Sequence, residues 1–463
     1  MIQKFLGIRF AQLSLLERCW LLAPLVVWFS YQPLIRLGQD GTSYYELSIP
    51  LIYLTILALV GVPTVWRHRQ QLVSDKTTWL VTAFVALSVV SLFWTPNIVR
   101  GVLTVGIVGL LWLVFLAALV ELKKIQGIAP ALAKLLVANG VFMSILAFVQ
   151  IVAGIWLSRS EALLCAGCVA DQFGFVRPNV FAIEPQFFGS LLLAPLVLLL
   201  RSILKGEYNK VVVGSFFITS TALFLTLSRG AIFAFTFGAL VLFILYRHNV
   251  AHLLRAVGIL VIALVVTLCI QGVAAAANPR IDVTFREAVA ASVNQLTLGV
   301  VDIDAEEEQE AEPIEQTNST TPAYDGYVEE STNVRVGMSQ LALSTWADNP
   351  SRLLFGVGAG GAGLAMHEQY PDKTGARQIV QNQYVEVLLE YGLVGFGLFV
   401  AILAGIVRNT RHSKWVWALL LAYIVQWNFF SGYPNALHIY LVLIAVYVAS
   451  SLSSERRVLK GRI

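Results

Sequence analysis

The chain has 463 residues, 57% of them hydrophobic and 13% charged, with a formal net charge of +4. That charged share is about half of what soluble proteins carry. A string of soluble domains is therefore excluded, no nucleic acid is expected among the partners, and a polytopic membrane protein is indicated.

Residues 1–18 carry Lys4, Arg9 and Arg18 among apolar residues, which reads as a short amphipathic helix on the cytoplasmic surface rather than an export signal. Apolar runs then predict twelve spans. They lie near 19–35, 47–66, 78–95, 101–120, 135–157, 187–203, 211–227, 230–246, 256–274, 384–407, 415–430 and 436–452. Most of the 32 Lys and Arg residues fall on alternate connections. By the positive-inside rule this puts both termini in the cytoplasm of a bacterium, with the chain multi-pass in the inner membrane. The predicted fold is all-α, a helical bundle with a large extracytoplasmic loop before the tenth span. It divides into a bundle at 1–271 with an outer loop near 158–186, a loop at 272–383, and a second bundle at 384–463 that ends in a basic cytoplasmic tail.

Within the large loop, 287–330 is acidic and predicted to be mobile. It contains Asp302-Ile303-Asp304, which a metal-binding motif also contains but which lies inside a longer acidic run. Residues 331–383 are predicted to form a helical hairpin, with Arg335 opening its first helix. Gly356-Val357-Gly358-Ala359-Gly360-Gly361 is too rich in glycine for helix or strand, and no strand precedes it, so a dinucleotide site is not indicated. Cys165 and Cys168 form a CxxC pair in the first outer loop. A disulfide in an oxidising compartment is the first reading, with redox, metal-binding and free-thiol readings beside it. Cys19 and Cys269 fall in spans and read as packing residues. No metal site or cofactor is expected.

From Val211 to Tyr246 the only charged residue is Arg229. The stretch is long enough for two spans, so Ser228-Arg229-Gly230 becomes the tip of a helical hairpin. A guanidinium at the membrane boundary needs water, an anion or a partner. Arg177, ahead of Pro178-Asn179 at the mouth of the sixth span, and Arg335 are further outer-face cations. Guanidiniums facing one cavity would hold a diphosphate by bidentate hydrogen bonds. Glu184 caps the sixth helix, pairs with Arg177 or binds substrate. Glu390 shares a helical face with Gln383 and Glu386 at the start of the tenth span. His367 is the one histidine placed clearly in an outer loop and is a candidate general base beside its reading as a solvated side chain.

In order along residues 175–435, Leu225-Thr226-Leu227-Ser228-Arg229-Gly230-Ala231, Arg335 with its helix, Leu354-Phe355-Gly356-Val357-Gly358, and Gln381-Asn382-Gln383-Tyr384-Val385-Glu386 through Gly395 resemble the O-antigen ligase/polymerase superfamily. The resemblance implies transfer of glycan from an undecaprenyl-diphosphate carrier at the outer face of the inner membrane, without a metal. It implies donor diphosphate binding by Arg229 and Arg335, with Arg177, Asn382, Tyr384, Glu390, Gly356 and Gly358 as substrate-binding positions. The expected partners are the lipid-linked glycan, an acceptor glycan, membrane lipids and a chain-length regulator. Ligases of the superfamily carry His-Asn where this chain has Gln381-Asn382, and an amide cannot act as a base at neutral pH. The expected function is therefore a polymerase of O-antigen or exopolysaccharide repeats, with the proton accepted elsewhere; Glu184, His367 and Glu390 are the candidates. A ligase or protein O-glycan transferase is the alternative within the superfamily. A transporter or flippase of lipid-linked glycan is the alternative outside it, weakened by the unlike halves of the chain.

Overall fold

A computed structural model describes residues 6–29, 34–40, 43–73, 76–125, 127–158, 161–164, 176–182, 184–278, 283–297, 324–410, 413–432 and 437–460. Cys165, Cys168, Arg159, Arg280 and Asp302 to Asp304 lie outside the described residues. The helices are α1 (Leu15–Val26), α2 (Ile49–Arg67), α3 (Lys76–Val90), α4 (Ile98–Lys124), α5 (Ile128–Trp156), α6 (Pro185–Leu204), α7 (Lys210–Leu225), α8 (Arg229–Leu245) and α9 (Val250–Ala276). After them come α10 (Phe285–Thr297), α11 (Tyr324–Ala347), α12 (Pro350–Phe355), α13 (Ala362–Gln369), α14 (Gln383–Asn409), α15 (Lys414–Gln426) and α16 (Leu437–Lys460). One antiparallel hairpin, β1 (Leu34–Asp40) with β2 (Ser43–Ser48), interrupts the helical order.

Every predicted span has a helix at its position. Among the described residues, seven helices are long and apolar enough to cross a membrane: α2, α3 (with residues to Phe93), α4, α5, α6, α9 and α14. Residues 210–225, 229–245, 414–426 and 437–448 form shorter apolar helices. The first predicted span is cut down: α1 contains Pro24 and stops at Val26, and extended chain begins at Leu34. Cys19 is half-buried and Cys269 is exposed on α9, so neither is a fully packed core residue.

The chain divides into two compact units, 137–334 and the pair of segments 1–136 and 335–463. In the 137–334 unit, α6 is the central helix. It is buried along nearly its whole length and packs on α7, α8 and α9. Helix α9 also packs on α10, which the sequence analysis did not identify. Thr284 and Glu287 close the start of α10 with a reciprocal capping box: Thr284 N–H donates to Glu287 Oε2 at 2.7 Å, and Glu287 N–H to Thr284 Oγ1 at 3.3 Å. The first residues of the stretch expected to be mobile are therefore helical.

In the other unit, α4 packs on α2, α3 on α14, and α12 on α14. An apolar cluster joins Ala342 and Trp346 of α11, Val357 of the glycine-rich loop, Ala365 and Met366 of α13, Val380, and Leu389 of α14. It ties the helices of the 335–383 segment to the start of α14.

Candidate functional site

The 137–334 unit holds one arginine pair. Helix α7 ends at Leu225 and α8 begins at Arg229, so the connection is three residues long. Ser228 is the N-cap of α8, its Oγ accepting from the Ala231 N–H at 3.4 Å. Arg229 is thus the first residue of a 17-residue helix, beside amide N–H groups that have no carbonyl partner in their own helix and favour an anion. Arg177 arrives from the loop before α6 and donates from Nε to the Thr226 carbonyl at 3.0 Å. Both arginines are buried, Arg177 at 9% exposure and Arg229 at 8%. Beneath the turn, Leu227 packs on Ala275 of α9 and Ala288 of α10.

Glu184 stands at the N-cap of α6, but its side chain makes no capping hydrogen bond and is exposed. The side-chain cap expected of it is therefore absent. What caps α6 is the Glu184 carbonyl, which accepts from the Phe187 and Phe188 N–H groups at 3.1 Å each.

The second unit holds Arg335 and the sequence that resembles the ligase motif. Arg335 does not open its helix: α11 begins at Tyr324, so Arg335 lies three turns in. The amides around it are inside the helical ladder, and the help expected from a helix N-terminus is unavailable to it. Its guanidinium instead donates from Nε to Gln381 Oε1 at 3.3 Å. Gln381 has φ +59°, a conformation that side chains with a Cβ avoid. Asn382 is the N-cap of α14, its Oδ1 accepting from the Tyr384 and Val385 N–H groups at 3.0 and 3.2 Å. Tyr384 donates its hydroxyl to the Ile424 carbonyl at 2.6 Å. These two residues, expected to bind substrate, are occupied in holding the start of α14.

Gly356 and Gly358 also have a structural explanation. Helix α14 is broken at Gly392 (φ +62°). The carbonyls of Leu389 and Glu390 accept from the Val357 and Gly358 N–H groups at 2.8 and 2.9 Å. The backbones touch: a Cβ on Gly356 would overlap the Glu390 carbonyl, and one on Gly392 would overlap the Leu354 carbonyl. On its other side the loop is held by Ser91 Oγ, which accepts from the Ala359 N–H at 3.0 Å, and by Thr95 Oγ1, which donates to the Ala359 carbonyl at 2.9 Å. Glu386 and Glu390 are buried, at 5% and 3% exposure. The amide N–H groups of Gly360 and Ala362 and the charge of Arg100 bear on Glu390. Arg100 also donates from Nη1 to the Arg377 carbonyl at 3.2 Å.

His367 lies on α13 with Nδ1 against the Thr374 carbonyl. A carbonyl only accepts, so Nδ1 carries the proton and Nε2 keeps its lone pair for another partner.

Two buried glutamines were missed by the sequence analysis. Gln150, on α5, holds the loop that carries Arg177. Gln271, on α9, is 1% exposed, with neither end of its amide hydrogen-bonded among the described residues. Their signal was available: each is an amide inside an apolar span, where a polar group needs a reason.

Residues 214–400 match the family model described as O-antigen ligase. Over that stretch the chain is similar to the O-antigen ligase family. The matched region contains Arg229, Arg335, Gly356, Gly358, His367, Gln381, Asn382, Tyr384 and Glu390; Arg177 and Glu184 precede it. No curated protein matches the chain. The apolar helices mark a multi-pass membrane protein, and the match supports, at a coarse level, a membrane enzyme of glycosyltransferase type that acts on lipid-linked glycan.

Proposed function

We propose that this protein polymerises O-antigen or exopolysaccharide repeat units at the outer face of the bacterial inner membrane. An acceptor sugar hydroxyl attacks the anomeric carbon of a glycan carried on undecaprenyl diphosphate. The new glycosidic C–O bond forms with inversion as the C–O bond to the diphosphate breaks, and the lipid diphosphate leaves with the bonding pair. The hydroxyl proton passes to a base.

The observation that carries this reading is the arginine pair at the Ser228 turn. Two guanidiniums are buried in this unit, Arg229 at the amide end of α8 and Arg177 on the Thr226 carbonyl of the turn before it. A diphosphate leaving group requires fixed positive charge where its own charge grows, and each preorganised donor contributes about 3 kcal/mol to such a step. Arg229 is assigned to the diphosphate, with Arg177 supporting it. Arg335 is assigned to the same reaction through its own unit, where it meets Gln381 at the position that ligases fill with histidine. His367 Nε2 is the best-prepared acceptor for the proton, since its tautomer is already set.

Glycan laddering on a gel from a strain carrying Arg229→Ala tests the reading. Loss of polymer with normal membrane insertion is expected, and a ladder of wild-type length sinks the donor-site role. A second reading, transfer to a lipid or protein acceptor, is favoured by the match of residues 214–400 to an O-antigen ligase family. A single added repeat on such an acceptor, in place of a ladder, would select it.

A further inference from the structure

Arg177 is held by a chain of contacts that begins well below it, at Gln150. This glutamine sits on α5 with 6% exposure. Its Oε1 accepts from the N–H groups of Asn179 at 3.0 Å and Val180 at 2.8 Å. Its Nε2 faces the carbonyls of Ala162 at 3.1 Å and Leu163 at 3.0 Å, and Asn179 Oδ1 at 3.2 Å. One amide therefore ties together both ends of the 158–184 connection. Asn179 closes the inner turn by donating from Nδ2 to the Ala182 carbonyl at 2.7 Å.

The residues so held are strained. Among the described residues, four non-glycine residues have positive φ: Leu163 (+56°), Val180 (+52°), Leu227 (+46°) and Gln381 (+59°). Leu163 and Val180 are bonded directly by Gln150. Leu227 follows Thr226, whose carbonyl receives Arg177. A β-branched residue such as Val180 resists this conformation strongly, because its Cβ substituents crowd the backbone. Such strain persists only where surrounding bonds over-determine it, and it gathers at functional sites. The strained segments in this unit flank Arg177 on one side and Arg229 on the other.

We infer that Gln150 is a positioning residue for the arginine pair: it holds Asn179 and Val180 in the strained turn that aims Arg177 at the turn bearing Arg229. The inference rests on the donor-diphosphate reading and specifies which group outside the family-matched region sets the geometry. Gln150 touches no substrate. Its effect travels through the Asn179–Val180 backbone to Arg177, and from there to the Thr226 carbonyl one residue before Leu227.

The test uses the purified full-length protein with inorganic pyrophosphate as probe, followed by glycan transfer. Gln150→Met keeps the size of the side chain and removes all of its hydrogen bonds. It should weaken pyrophosphate binding and lower kcat, the latter by about 10²-fold if the arginine shifts by an ångström. Val180→Gly permits φ +52° without strain. Added to Gln150→Met, it should recover most of the lost binding. A thermal melting midpoint that stays at the wild-type value in Gln150→Met while pyrophosphate affinity falls separates positioning from general support. Wild-type affinity in Gln150→Met, or no recovery in the double variant, overturns the inference while leaving the donor reading intact. Pyrophosphate binding that is unchanged by Arg229→Ala overturns both.

Discussion

At Arg229 a positive side chain and the positive end of a helix coincide, and the two reinforce one another. Arg229→Lys keeps the charge but loses the planar fork that matches two phosphate oxygens. Transfer by Arg229→Lys should fall well below wild type, and Arg229→Ala should fall by about 10²- to 10³-fold, as removal of a preorganised donor does; single-turnover kinetics with lipid-linked glycan would read both. Arg335 and Gln381 make a different kind of pair. If Gln381 chiefly orients the guanidinium, Gln381→Ala should lower the rate less than Arg335→Ala does. Equal losses in the same assay would show instead that the amide acts on the substrate itself. The sequence was most informative at this scale for charged residues, since a lone arginine in an apolar stretch is conspicuous. It was uninformative for Tyr384 and Gly358, whose hydrogen bonds go to backbone that only the fold brings near.

Among elements, the twelve apolar runs were legible because membrane spans announce themselves by length and hydropathy. Helix α10 was not. Its sequence, FREAVAASVNQLT, is only weakly apolar, and its start is fixed by the Thr284–Glu287 box rather than by a hydrophobic run. The N–H and hydroxyl of Thr284 both donate to the Glu287 carboxylate, which lowers its pKa. A lowered folded-state pKa means that this stabilisation is complete above the ordinary carboxylate value and is lost as the pH falls through the lowered one. Hydrogen exchange at the first turn of α10 should accordingly quicken at acid pH. Glu287→Gln should abolish that dependence, whereas Thr284→Ala, which keeps the backbone N–H bond to Glu287, should only weaken it and cost about 1 kcal/mol locally. The start of α11 was misread for a related reason. Ser331-Thr332-Asn333 look like caps, yet the helix begins at Tyr324 and runs through them, so Arg335 sits in mid-helix.

For the whole molecule, charge bias along the chain predicts an orientation that labelling can check. A cysteine placed at Glu184 should react with an impermeant maleimide added from outside, and one at Glu207 only after the membrane is opened. The reverse pattern would put the Arg229 turn on the cytoplasmic side and remove the outer-face reading. Composition announced a membrane protein, and the ordered motifs announced the family it resembles. The division into 137–334 and its flanking segments could not be read in advance, because it depends on which helices pack together. The same limit hid Gln150, whose partners lie up to 30 residues away along the chain.

The meeting of Gly356 and Gly392 reaches into the history of the chain. Each glycine leaves room for the main chain around the other, and both need a backbone conformation that a side chain would oppose. Neither position is free to drift on its own: Gly356→Ala or Gly392→Ala should each yield little folded protein by size-exclusion profile. Descendants that still seal a snapped helix with a loop should inherit the two glycines together, and lineages that straighten the helix should shed both.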